Sequence, residues 1–337
     1  MAVLLEFLGL YDQSVIKPKT FIRDMFFSKH ETHEYPKWEI EYRKGRQLVA
    51  PFVSELIPGT EVVKRSYASK YYSAPKVAPK KTFSAQEIYF AKSAGETIYG
   101  GISPEEKKAK LIGEAFADFE EQISRREELM CIDLMFKGSI VVKGEGVEDK
   151  IEYGTVQEIT PTVLWNQPNA DISGDIESVI TLIGETTGQR VEHIVMDPVA
   201  SRLFTQNEKI AKLLDIKNAN FGQIDPKELA SGAIYIGTLA PYNIPIYSYQ
   251  TQHSVLKADG KTYDTVKMIP EGRVLFAPSN NTLHYGPAAD IAKGIIVAER
   301  VPFEDEDTKI NTLEVRTESR PLPVPFDIDA IKVLKVK

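Results

Sequence analysis

One stretch dominates what this chain can become: Ser103 to Gly138 reads as a single long amphipathic helix that runs directly into paired strands. Ser103 suits an N-cap, Pro104 the first helical position, and Glu106 the place from which a capping-box carboxylate reaches back. Ile112, Phe116, Phe119, Ile123, Met130 and Leu134 recur at steps of three, four and seven, which holds them on one face. The stripe lapses around Arg126, so the seam is interrupted. Gly138 offers the left-handed C′ residue that ends such a run. At about 1.5 Å per residue the helix is about 50 Å long. A compact globule of this chain length is itself only about 50 Å across. The helix therefore predicts a flat or elongated subunit, and subunits of that kind belong to larger assemblies.

Composition sets outer bounds on function. The 337 residues are enough for two ordinary domains, and 42% hydrophobic with 26% charged residues is a soluble globular balance. A net charge of -7 gives no reason to expect nonspecific nucleic-acid binding as the main task. Cys131 is the single cysteine, so an intrachain disulfide is excluded and a reducing compartment fits. Residues 1–27 lack a basic start and a small-residue cleavage site, and Glu6 interrupts their apolar run, so they do not read as a signal peptide. They are also too short and polar to span a bilayer. We read them as an arm that docks elsewhere, anchored by Phe21, Phe26 and Phe27. Cytosolic assembly is expected.

Between residues 29 and 102 the chain has the character of an extended region. Trp38, Ile40 and Tyr42 alternate with charged neighbours as in a half-buried strand. From Thr60 to Phe83 the sequence is basic, tyrosine-rich and punctuated by Pro75 and Pro79, with no periodicity that would bury a core. Long loops without a core are commonly functional. Its residues Lys64, Arg65, Tyr67, Lys70, Tyr71, Tyr72, Lys76, Lys80 and Lys81 are the candidate contacts, expected to meet carboxylates on a neighbouring protein surface. Beyond Gly138, Ser139–Lys143 and Lys150–Tyr153 bracket a glycine-rich hairpin turn. A new unit begins near Pro161. Asp171 or Ser173 caps a helix ending at Gly184 or Gly188, His193–Met196 is a buried strand, and Asp197-Pro198 starts another helix containing Leu203 and Phe204. Strands follow at 234–236, 244–249 and 274–276, and Asp259-Gly260 marks a hairpin. Late strands at 295–301 and 311–317 flank an acidic turn, Glu304 to Asp307. Pro321, Pro323 and Pro325 form a stiff connector to a last strand at 330–335. Helices and strands mix without βαβ alternation, so the class is α+β.

Chemistry is conspicuous by its gaps. No phosphate-cradling glycine motif and no nucleophile elbow is present. His30 and His33 stand three apart and lack a convincing third ligand, so they read as exposed surface, and His193 reads as a core or edge histidine. Asn169, Asp171, Ser173 and Asp175 mimic the start of a calcium loop, but its glycine and final glutamate are missing, and helix capping explains them. A hydrolase using His193 or His284 is the weakest reading. No catalytic residue, metal ligand or cofactor is expected.

Several phrases, in order, resemble the major capsid proteins of lambda-type tailed phages. They are Met25-Phe26-Phe27, Val49-Ala50-Pro51-Phe52-Val53, Val77-Ala78-Pro79-Lys80, Leu134-Met135-Phe136-Lys137-Gly138, Leu164-Trp165-Asn166, Ile194-Val195-Met196-Asp197-Pro198, Ile269-Pro270-Glu271-Gly272 and His284-Tyr285-Gly286-Pro287. The resemblance implies a Hong Kong 97-like capsid fold: an N-terminal arm at 1–28, an extended-loop region at 29–102, and a spine helix with peripheral domain at 103–160. An axial domain at 161–290 follows, then a return to the peripheral domain at 291–325 and a final axial strand at 326–337. It also implies self-assembly through pentameric and hexameric capsomers into an icosahedral shell around phage genomic DNA, without sequence specificity or a membrane. A separate scaffold protein and a portal protein are implied, and the need for a decoration protein stays open. The alternative is a nanocompartment shell of the same fold that encloses protein cargo. Crosslinking through Lys64, Lys70 or Lys76 would need an Asn and a Glu that no motif fixes.

Overall fold

The long helix forms where its apolar stripe and its glycine stop place it. A computed structural model describes residues 20–43, 67–89, 104–144, 146–207, 210, 227–229, 232–239, 242–256, 263–291 and 294–337. Its α-helices include α1 (Phe21–Phe26), α2 (Ala85–Tyr89), α3 (Pro104–Lys137), α4 (Ile172–Thr187) and α5 (Pro198–Gln206). All six stripe residues of α3 are buried. Gly138 ends the helix with φ +71°, and a Cβ there would lie 2.4 Å from the Gly154 carbonyl oxygen. Left-handed backbone and close approach together demand glycine. Ser103, the expected cap, lies outside the described residues.

The centre of the subunit is a seven-stranded sheet. Its order is Gln157–Ile159, Lys332–Lys335, Arg273–Ala277, His193–Met196, Ile244–Ser248, Ile234–Leu239 and Lys227–Glu228. The pairs 157–159/332–335 and 193–196/244–248 are parallel, and the rest are antiparallel. Strand alternation sends Ile194, Met196, Val274, Phe276 and Leu334 to one face, where they join Ile176, Val179 and Ile183 of α4 and Phe204 of α5. Val195, Leu275 and Val333 take the other face, against Phe21, Ile22 and Phe26 of α1 and Met130, Leu134 and Met135 of α3. Both faces are covered, which explains why these strands read as nearly continuous apolar runs. Asp197 caps α5 by accepting from the Val199 and Ala200 amides at 3.1 and 2.9 Å, and α4 stops at left-handed Gly188.

The N-terminal half of α3 belongs to a second core. Ile112, Ala115, Phe116 and Phe119 pack with Phe83, Ile88, Leu313 and Val315. The sheet beneath them is Val301–Asp307, Thr312–Glu318 and Lys80–Ser84, in that order. A smaller sheet joins Lys29–Thr32 in parallel to Thr282–Tyr285, which pairs on its other side with Pro321–Val324.

Several expectations need correction. Phe21, Phe26 and Phe27 do not dock elsewhere; they are at most 3% exposed within this chain's own core. The region 60–83 is not a loop without core: Tyr67–Ser73 and Lys80–Ser84 are strands, and Tyr72 and Phe83 are buried. Strand residues whose partners lie far along the chain, at 37–43 and 312–316, show no local periodicity of their own. Glu304–Asp307 is strand rather than turn. Glu304 and Glu306 share one face and meet Lys108 of α3, while Asp305 meets Arg316. The turn comes later, at Asn311 with φ +58°. The 295–301 strand is two strands, 294–296 and 301–307. Pro321 and Pro323 lie within a strand, on the sheet edge that tolerates a missing N–H. The Asp259-Gly260 turn is outside the described residues, although its flanking strands, Gln252–Leu256 and Tyr263–Lys267, pair as a hairpin.

Truncating Phe119 to Ala removes a ring from the second core and should cost about 3–5 kcal/mol. Glu114→Ala on the exposed face should stay within about 0.5 kcal/mol. Denaturant unfolding of the unassembled protein measures both.

Candidate functional site

Where the apolar stripe lapses, α3 buries charge. Glu127 and Glu128 are 0% and 1% exposed, and Ser124 is fully buried beside them. Glu120, Ser124 and Glu127 follow the same four- and three-residue steps as the stripe, so they face the body of the subunit. Arg300 closes this ladder: its Nε donates to Glu120 Oε2 at 2.9 Å and its Nη1 to Glu127 Oε1 at 2.7 Å. Arg300 Nη1 also reaches Ser319 Oγ at 3.0 Å. From α1, Arg23 Nη1 donates to Glu127 Oε2 at 2.8 Å. Glu128 spans the buried N-terminal end of α1, accepting the Ile22 N–H at 2.9 Å and the Arg23 N–H at 2.8 Å. A carboxylate on these two orphan amides does for α1 what a capping side chain would do.

Burial pushes the Glu128 carboxyl up to about 7, with the two amide donors pulling the other way. Arg300 is also desolvated, yet Glu127 and Glu120 hold it above its ordinary range. Arg23 behaves alike, with burial opposed by Glu127 and Asp24. Sequence reading missed this cluster because charges on a long helix ordinarily face water. The signal was present, since Glu127 sits between Ile123 and Met130 at a position where the stripe demands an apolar residue.

The residues expected at contacts between subunits are dispersed. Lys64 and Arg65 lie outside the described residues. Tyr67, Lys70 and Tyr71 belong to the strand that pairs with Lys37–Arg43, opposite Arg43, Ile40 and Glu39. Tyr72 is 7% exposed, donates to the Glu152 carbonyl at 2.9 Å and lies 5.0 Å from the Tyr153 ring, so it serves the subunit's own core. Lys76 meets Glu318 at 2.6 Å and Lys80 meets Glu314 at 3.0 Å. The carboxylates expected on a neighbour are here supplied by this chain's own strand, which the Val77–Ser319 bridge and the 80–84 pairing bring alongside. Lys81 stands over the Phe83 ring. A groove of about 550 Å³ opens between Pro75–Pro79, α3 and the 139–144 strand, with Lys76, Arg125, Arg126 and Lys143 among its lining residues.

The histidines are arranged differently from the expectation. His30 Nδ1 bonds Glu299 Oε1 at 3.0 Å, whereas His33 Nε2 lies 2.7 Å from His284 Nδ1. His193 is half-buried near Phe26 and Tyr247, and its Nδ1 has no partner. Cys131 is fully buried, and desolvation pushes its thiol well above the ordinary range, which removes it as a nucleophile.

Residues 11–336 match the family model of phage major capsid protein E. The chain belongs to that family. It is 21% identical over 343 residues to the P21 prophage-derived major head protein of Escherichia coli O6:H1 strain CFT073, covering 97% of each chain. The same figures hold against the major capsid protein of Enterobacteria phage P21. Its fold is similar to a prophage capsid protein of E. coli CFT073, with TM-score 0.70 at 16% identity over 99% of both chains. A phage-related protein of Bordetella bronchiseptica RB50 gives TM-score 0.55 at 12% identity over 97% of this chain and 96% of that one. The fold is the Hong Kong 97-like α+β capsid fold. The protein is thus a major capsid protein, a structural subunit of the tailed-phage virion that self-assembles into its shell.

Two outcomes follow for this capsid protein's buried ladder. Arg300→Met takes the guanidinium away from both Glu120 and Glu127, leaving Ser124 on Glu120 and Arg23 on Glu127, and should cost about 3–5 kcal/mol in denaturant unfolding. For Glu128 the folded pKa exceeds the unfolded value of 4.5, so the folded state holds a proton through pH 4.5–7 that the unfolded chain releases. Its contribution is complete below that window and lost as pH rises through it. The stability difference between wild type and Glu128→Gln should therefore shift by about 3 kcal/mol toward wild type from pH 8 to pH 4.5. His33, His193, His253 and His284, all held low by burial first, work in the opposite direction, but both proteins carry them and the difference cancels them. Unfolding curves at both pH values measure it.

Proposed function

We propose that this capsid protein tiles an icosahedral shell as pentameric and hexameric capsomers around phage genomic DNA, assembling in the host cytoplasm. DNA would lie at the inner surface without sequence specificity, in line with a chain that is acidic overall. A separate scaffold protein and a portal protein complete the assembly, and the role is structural, with no turnover. In this reading residues 1–28 are the arm, 29–102 the extended-loop region, 103–160 and 291–325 the peripheral domain, and 161–290 with 326–337 the axial domain.

The observation that carries this reading is the ribbon made by Lys37–Arg43 and Tyr67–Ser73, which pair with each other and with no further strand among the described residues. A lone two-stranded hairpin is marginal in water. Beyond Tyr72, which anchors one strand in the subunit's own core, its support then comes from a neighbouring subunit, with Lys64, Arg65, Tyr67, Lys70 and Tyr71 as the contacts. The hairpins 139–144/147–152, 252–256/263–267 and 288–290/294–296 are likewise self-paired. The last of them exposes Ile295 and, at its tip, Ile291. Many modest contacts of this kind hold a shell through multivalency.

The structure also fixes how to test it. Deleting 60–83 would remove Tyr72 and Phe83 from the cores, so the cut belongs between Arg43 and Tyr67, which stand opposite each other in register. Joining them through Asn-Gly should leave a folded subunit by circular dichroism, because that turn suits a two-residue hairpin. Electron micrographs should then show capsomers or monomers in place of closed shells. Closed shells of normal size from this variant would overturn the proposed contact.

A further inference from the structure

The strand Lys29–Thr32 runs parallel to Thr282–Tyr285 with Glu31 opposite His284. The His33 N–H continues the ladder by donating to the Tyr285 carbonyl at 2.9 Å. In extended chain, residues two apart share a face, so Glu31 and His33 project together while His30 projects away, to Glu299. Three donors therefore converge from two strands whose sequence positions are about 250 apart. His33 Nε2 and His284 Nδ1 are 2.7 Å apart, His284 Nδ1 and Glu31 Oε2 are 3.6 Å apart, and all three ligand atoms lie within 4.8 Å of one another.

We propose that Glu31, His33 and His284 bind one divalent transition-metal ion, with zinc as the ion they suit best. Two imidazole nitrogens and one carboxylate oxygen are a borderline donor set of the kind zinc takes. Bonds of 2.0–2.1 Å in a tetrahedron put neighbouring ligand atoms about 3.3 Å apart. The two shorter separations bracket that value, so the imidazoles part by roughly 0.6 Å and the carboxylate closes in. At 3.6 Å the carboxylate is too far from the ring nitrogen for a hydrogen bond, so hydrogen bonding between those two atoms does not explain its position. The proton count also closes. In the ion-free pair of neutral rings one N–H lies between the two nitrogens. On metal binding that proton moves to the other nitrogen of its own ring, and both facing lone pairs become ligands.

One group opposes the ion: the exposed Lys29 ammonium pairs with Glu31 Oε1, leaving Oε2 as the oxygen turned toward His284. Water takes the fourth position. The site lies four residues before the strand Lys37–Arg43, so the ion fastens the entry of that ribbon to the strand Thr282–Tyr285 in the body of the subunit.

The test uses the full-length, unassembled chain stripped with chelator and desalted, so it is independent of shell formation. Titration with zinc chloride should give one ion per chain by calorimetry, and the thermal midpoint should rise with zinc concentration. Cobalt(II) should give the visible absorption of a tetrahedral nitrogen–oxygen site. His33→Asn and His284→Asn should each weaken zinc by at least about tenfold, a loss of one ligand's worth of affinity. His30→Asn should leave it unchanged. Glu31→Gln, at a partly exposed strand position, keeps the test open if His284→Asn does not fold, and should weaken zinc as well. No stoichiometric binding by wild type, or zinc binding that survives loss of His33 and Glu31, would overturn the site.

Discussion

The carboxylate pair Glu127–Glu128 in the middle of α3 is the interaction on which the other parts of the subunit converge. Glu128 receives the first amides of α1, and Glu127 receives both Arg23 and Arg300. Through these two side chains α1, α3 and the segment leading into the 301–307 strand meet at one point. Buried ions are costly to desolvate, and breaking such a pair costs more than the pair gains over an apolar replacement. The arrangement is therefore better understood as a register device than as a source of net stability. Apolar contact alone would let α1 slide along a greasy helix; a bidentate carboxylate on two particular amides does not.

That register matters because α3 serves two cores. Its first half packs on the sheet of 80–84, 301–307 and 312–318, and its last turns pack under the central seven-stranded sheet. A helix of 34 residues linking two cores is a lever, and rotation about its axis would misplace both ends at once. Arg300, Arg23 and the capped α1 fix the rotation over Glu120 to Glu128, where the helix passes from one core to the other. Gly138 fixes the far end, since its left-handed backbone lies against the Gly154 carbonyl and turns the chain into the following hairpin.

Much of this was legible in the sequence, and the misses share a cause. The α3 stripe, the Gly138 stop, the Asp197-Pro198 start and the 193–196 strand follow local rules of period and capping, and each was found where the residues placed it. The buried ladder needs Arg23 and Arg300, 104 and 173 residues from Glu127, and no local pattern announces them. Only the intrusion of Glu127 into an apolar stripe hinted at a partner. His33 reads as surface until His284 arrives on a parallel strand. Lys76 and Lys80 read as seeking carboxylates on another molecule; in the structure they meet Glu318 and Glu314 of the chain's own strand 312–318.

The same contrast bears on how a shell subunit divides its work. Where the chain is tied to itself, it is tied by contacts distant in sequence: a doubly covered sheet, a buried ion ladder, a capped α1. Where it forms ribbons, at 37–43/67–73, 139–144/147–152, 252–256/263–267 and 288–290/294–296, each strand pairs, among the described residues, only with its neighbour in that ribbon. Local pairs of this sort have little stability of their own and little stiffness. In the proposed shell that is an advantage, because one sequence must meet neighbours at more than one angle. A rigid body keeps the subunit's identity, and marginal ribbons absorb the differences between one neighbour and the next. Ordering those ribbons on contact costs conformational entropy at each interface, which holds single contacts weak and reversible until enough of them close together. In the proposed shell, the grouping of distant-sequence contacts in the body and local ones in the ribbons thus suits a subunit whose body folds alone and whose ribbons are steadied by their neighbours.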